Sequence, residues 1–123
     1  MPANDAPALP PDVLRALQER YRGTLTNTLE LLRGMARELN AAATAPETLD
    51  ALRRELHRVH GTAGSYGYDL ASRVAGTLEA CVIRWSADPL LDRDERGAVV
   101  DRFVAELEAA FKRNEPADSP PAR

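Results

Sequence analysis

The sequence predicts an all-α protein folded as an antiparallel, up-down-up-down four-helix bundle. The first observation behind this is the placement of nine prolines in 123 residues. Pro2, Pro7, Pro10 and Pro11 crowd the start and Pro116, Pro120 and Pro121 the end, so only Pro46 and Pro89 interrupt the body. The second is a 44% hydrophobic share dominated by alanine and leucine, both strong helix formers. The third is the lack of period-two runs rich in valine, isoleucine and threonine, which argues against sandwiches, barrels and βαβ folds. A chain of this length has room for one ordinary domain and not for two.

Each helix follows from an apolar stripe. Leu14, Leu17, Tyr21, Leu25, Leu29, Leu32, Ala36 and Leu39 recur every three or four residues, from Pro11-Asp12 to the alanine run at 41–43. Gly23 and Gly34 weaken that helix and allow a bend. A second stripe, Leu49, Leu52, Leu56, Val59, Ala63 and Tyr66, opens after Pro46, a residue suited to a first helical turn, and stops at or just after Gly67. Asp69 is placed to cap a third helix with Leu70, Val74, Leu78, Cys81, Val82 and Trp85 on one face, closed by Ser86-Ala87-Asp88-Pro89. The fourth starts around Asp92, with Glu95 three residues on as in a capping box, and carries Val99, Val100, Phe103, Leu107 and Phe111. Short loops between such helices favour antiparallel neighbours. The expected layout is a disordered tail over 1–9, the bundle over 10–114 and a disordered Pro-rich tail or linker over 115–123. Trp85, Phe103 and Phe111 read as core, and Cys81 as a buried structural thiol.

Charge and cysteine content narrow the class. Sixteen basic against nineteen acidic residues give a formal net charge of −3, which offers nucleic acid no general attraction. A single cysteine cannot form an internal disulfide. The start has neither the basic nor the apolar region of a secretory signal, and no stretch approaches the roughly 18 apolar residues of a membrane span. A cytoplasmic, soluble monomer without membrane or nucleic-acid partners is expected.

The glycines are as unevenly placed as the prolines. Gly61, Gly64 and Gly67 fall in LHRVHGTAGSYGY, which also holds both histidines, His57 and His60. On a helical wheel His57 points roughly 135° from the core direction, and Gly61 and Gly64 lie within about 40° of it. Helical side chains lean towards the N-terminus, so a large residue at 61 would cover the His57 ring, whereas glycine leaves it open. Arg53, Arg54 and Arg58 project around it. An uncovered nucleophilic imidazole ringed by cations suits the handling of a phosphoryl group by another macromolecule. His60 lies only about 75° from the core direction, at the edge of the packed face, so His57 is the better acceptor. If the turn between helices two and three centres near Tyr68, His57 and Glu79 stand eleven residues to either side and meet at one height. A carboxylate there could accept the Nδ1 proton and leave the Nε2 lone pair facing outward.

The segment His57-Arg-Val-His-Gly-Thr-Ala-Gly-Ser-Tyr-Gly-Tyr68, with Leu78-Glu79 on the next helix, resembles the active helix of histidine-containing phosphotransfer (HPt) domains. It is most similar to the phosphotransfer domain of CheA-type chemotaxis kinases. The resemblance implies a phosphoryl carrier without enzymatic activity of its own, working in a two-component phosphorelay. His57 matches the phosphoacceptor, Glu79 the glutamate that orients the imidazole, and Gly61 the glycine that gives access. His60 stands where the family usually has lysine, and Gly76 where the chemotaxis domain has a second histidine. Arg53, Arg54, Arg58, Gly61, Gly64 and Ser65 form the expected docking face for a sensor histidine kinase and a response-regulator receiver domain. No cofactor or metal is expected on the chain, Mg²⁺ being the partner's.

Other functions fit less well. A di-iron helix bundle would need glutamate at 54, where the chain has arginine, and arginines beside the histidines oppose a bound cation. A DNA-reading helix around Ala71-Ser72-Arg73-Val74-Ala75-Gly76 would take away a helix that the core needs. A helical interaction module, or a pseudo-HPt domain that binds receivers without accepting phosphate, uses the same face and stays open at this level.

Overall fold

A computed structural model describes residues 10–113; both expected tails, and residue 114 with them, lie outside the described residues. The helices are α1 (Pro11–Ala41), α2 (Pro46–Ser65), α3 (Asp69–Ala87) and α4 (Arg96–Arg113), with a 3₁₀ turn at Arg93–Glu95 leading into the last. Proline occupies the first helical turn of both α1 and α2, where its missing N–H costs no hydrogen bond. At 31 residues α1 is the longest element, and it runs unbroken through Gly23 and Gly34.

The chain alternates direction. The start of α1 meets the end of α2, where Gln18 Nε2 donates to the Tyr66 carbonyl at 2.7 Å. The start of α3 meets the end of α4, where Tyr68 and Phe111 stack edge to face with centroids 5.1 Å apart. Tyr21 completes that aromatic end, 5.2 Å from Tyr66 and 5.7 Å from Phe111. Between the ends, Leu32, Leu52, Leu56, Val59, Leu78, Val82, Val100 and Leu107 are almost wholly removed from water, which supplies the main drive to fold.

Only glycine fits two of the chain's close spots. Gly67 follows α2 with φ 87°, the left-handed conformation that ends the helix and turns the chain into α3. At Gly97, a β-carbon would collide with the Asn40 side chain and press on the Ala36 carbonyl, so α4 starts directly against the end of α1.

The opposite end is held by Arg96, fully buried at 0% exposure. Its guanidinium donates to the carbonyls of Ala43 (2.7 Å), Asp88 (2.8 Å), Leu91 (2.9 Å) and Trp85 (3.3 Å) and lies over the Trp85 ring. One side chain thereby satisfies carbonyls from the α1–α2 loop and the α3–α4 connection, and burial pulls its pKa down while Asp92 and Asp88 oppose that pull. Asp92 is drawn into the same assembly, accepting from Trp85 Nε1 at 2.9 Å with a φ of 53°.

Three local expectations are corrected here. The Asp92–Glu95 capping box does not form, because the Asp92 carboxylate is committed to Trp85 and α4 begins at Arg96. Asp69 is the first residue of α3 and caps nothing through its side chain; Tyr68 takes the cap position. Cys81 is half-buried, its Sγ accepting from Arg84 at 3.5 Å, because Ala71, Ala75, Leu78 and Val82 turn the α3 core face slightly away from it. Trp85 and Phe111 are core residues, and Phe103 packs half-buried against the edge of the core.

Candidate functional site

The site is built on the α2–α3 hairpin, whose helices pack most extensively. Residues equidistant from Tyr68 meet across it. His57 and Glu79 are one such pair: Nδ1 lies 2.9 Å from Glu79 Oε2. The His57 side chain is 73% exposed while that of Glu79 is only 14% exposed, so a sheltered carboxylate holds the base of a ring that stands in water. A carboxylate only accepts, so Nδ1 carries the proton and the Nε2 lone pair points away from α3. Glu79 is not the plain surface glutamate that its position beside the α3 apolar stripe would suggest.

The next pair inward is His60 and Gly76. The His60 ring lies against the backbone of α3, where a β-carbon at 76 would stand 2.8 Å from Nδ1 and 2.9 Å from Cε1. Nδ1 donates to the Ser72 carbonyl at 2.7 Å, and Ser72 Oγ donates back to the His60 carbonyl at 2.7 Å. His60 is therefore tied to α3 and turned away from the Nε2 side of His57.

Gly64 and Ser72 form the third pair, with Ser72 Oγ 3.2 Å from where a Gly64 β-carbon would sit. Of the two glycines expected to clear the histidine, Gly61 does have open space around it, whereas Gly64 serves the close approach of α3. Ser65 Oγ donates to the Gly61 carbonyl at 3.0 Å.

The three arginines divide as well. Arg53 and Arg54 reach back to Asp50 at 3.1 and 3.3 Å, and Arg53 lines a separate groove with Leu49, Ile83 and Trp85. Arg58 pairs with Glu55, whose side chain is 14% exposed. The expected ring of cations is thus charge-compensated along its own helix, through i,i+3 and i,i+4 pairs that were present in the sequence. Around His57 itself, Arg58, Gly61, Thr62, Ser65 and Tyr66 complete an open concavity of about 450 Å³.

Sequence reasoning missed the Ser72–Gly76 seat for His60 and the Arg96 clamp. The first was readable from the same symmetry about Tyr68 that pairs His57 with Glu79. The second had no signal, since an arginine near a helix start looks like surface. Among the described residues no group of three or more His, Cys, Asp or Glu is placed to hold a metal ion, and no helix is long and apolar enough to cross a membrane.

A family model described as Hpt domain matches residues 12–115. No curated protein and no solved structure matches the chain.

Proposed function

The chain belongs to the Hpt-domain family, whose members are phosphocarriers of phosphorelays and not enzymes, and we propose that His57 is its phosphoacceptor. The observation that carries this reading is the Glu79–His57 hydrogen bond, which fixes the proton on Nδ1 and presents Nε2 as the nucleophile. A kinase or a phospho-aspartyl receiver domain presents the phosphoryl group in line with Nε2. The Nε2–P bond forms as the P–O bond to the donor breaks, and the donor oxygen leaves with that electron pair. The ring becomes cationic, its Nδ1 proton held by the Glu79 carboxylate. In the return step a receiver aspartate attacks phosphorus and the P–N electrons go back to Nε2.

Mg²⁺ and the charge stabilisation of the moving phosphoryl group come from the partner. The bundle supplies rigidity and access, the latter through Gly61. The likeness to CheA-type phosphotransfer domains, action as a monomer and a cytoplasmic location belong to this same proposal. The test is to incubate the chain with an active kinase or a phosphorylated receiver and follow acid-labile, base-stable phosphate. Label on the wild type and none on His57→Gln is expected; undiminished label on His57→Gln, or none on a wild type that binds its receiver, would overturn the assignment.

A further inference from the structure

Two features of the site leave its phosphoryl-facing charge unassigned by family likeness. His60 is seated on Ser72 and Gly76 of α3, with Nδ1 bound to a carbonyl. His57 turns Nδ1 towards the same helix, so Nε2 faces the other way. The group that accompanies Nε2 has to be sought on the side of α2 away from α3.

On that side His57 shares its open concavity with Gly61, Thr62, Ser65, Tyr66 and one cation, Arg58. The Arg58 side chain is fixed by two hydrogen bonds, from Nε and Nη2, to the largely covered carboxylate of Glu55. The other terminal nitrogen, Nη1, has no hydrogen-bond partner among the described residues and keeps its donors available. The guanidinium also feels the Tyr21 phenol of α1, which burial keeps neutral up to about pH 12. Arg53 and Arg54 are both directed one turn back to Asp50, and Arg53 lines a different groove. We infer that Arg58, and not His60, is the cation that faces a phosphoryl group on Nε2 of His57, with Glu55 as the residue that positions it. The inference rests on His57 being the acceptor.

Phosphoramidate tests this without any partner protein. Nε2 attacks its phosphorus, the P–N bond to ammonia breaks, and ammonia leaves with that electron pair. The ³¹P signal of the phosphohistidine is then titrated with pH. A facing guanidinium favours the dianionic phosphoryl group, so in Arg58→Gln the titration midpoint should rise by about half a pH unit, and Arg58→Lys should restore most of it. In the Arg58→Gln background Glu55→Gln should lower the midpoint, since only a like charge is then removed, whereas in the wild-type background the lost tether of Arg58 should offset that lowering. His60→Gln should leave the midpoint in place. An unchanged midpoint in Arg58→Gln, or an equal rise in His60→Gln, would overturn the role of Arg58 while leaving His57 as acceptor. Absence of acid-labile phosphate on the wild type, or its persistence on His57→Gln, would instead remove the reading beneath it.

Discussion

The imidazole of His60 fills the space that Gly76 leaves on α3, and neither residue can be changed without the other noticing. With a side chain at 76, the ring loses its seat and the bond from Nδ1 to the Ser72 carbonyl. Alanine gains up to about 1 kcal/mol over glycine in a helix interior, which offsets part of the clash. Because the His60 ring is exposed and can swing aside, Gly76→Ala should cost no more than about 1 kcal/mol net. His60→Ala placed on top should recover stability instead of adding a second loss, with a coupling on the order of 1 kcal/mol in urea melts of the four proteins of the cycle. Strict additivity would mean that the ring is not held there in solution.

Glu79 acts on the chemistry more than on the fold. Its hydrogen bond to His57 has one largely exposed partner, so Glu79→Ala should change stability by less than about 1 kcal/mol. Without the carboxylate the tautomer is free and the cationic phosphorylated ring loses its counter-charge, so loading of acid-labile phosphate should slow about tenfold. Time courses with phosphoramidate, read beside a urea midpoint, separate the two effects. Wild-type loading in Glu79→Ala would show that the bond is incidental.

The four helices were legible because each rests on an apolar stripe, and periodic burial is what a sequence encodes most directly. The pairing of His57 with Glu79 was legible for a related reason: once the turn is placed at Tyr68, an antiparallel hairpin fixes which residues share a height. The same rule, carried further, would have found His60 opposite Gly76 and Gly64 opposite Ser72. What local sequence does not carry is competition between distant partners. Asp92 and Glu95 have the spacing of a capping box, but Trp85 and Arg96 take the Asp92 region for the clamp and the helix starts later. The arginine ring was legible as positions and not as charge, because Asp50 and Glu55 had to be read as their partners.

Arg96 should be the most sensitive charged position in the chain. It is buried and satisfies four carbonyls, three from two separate connections and one from the last turn of α3. Arg96→Ala leaves those acceptors unpaired and should cost about 3–5 kcal/mol, enough to unfold a marginal bundle. Arg96→Lys keeps the charge, but a single nitrogen cannot span four acceptors, so a loss of about 2 kcal/mol is expected. Denaturant midpoints at constant slope report both, and wild-type stability in Arg96→Lys would mean that the clamp works through charge alone.

Tyr21 links the site to alkaline stability. Burial raises its phenol from the ordinary 10.0 to about 12, while Arg58 pulls in the opposite direction. The unfolded chain releases this proton near its ordinary value and the folded chain only near the raised one, so the folded state is favoured fully below about pH 10. That advantage, on the order of 2 kcal/mol, is lost as pH climbs from about 10 to about 12. Tyr21→Phe should flatten this part of the stability–pH curve. Arg58→Gln removes the opposing cation, so it should push the Tyr21 phenol higher and extend the same alkaline loss to higher pH, read by tyrosinate absorbance together with urea midpoints. An Arg58→Gln protein with an unaltered tyrosinate transition would place the Arg58 guanidinium away from Tyr21 and out over solvent.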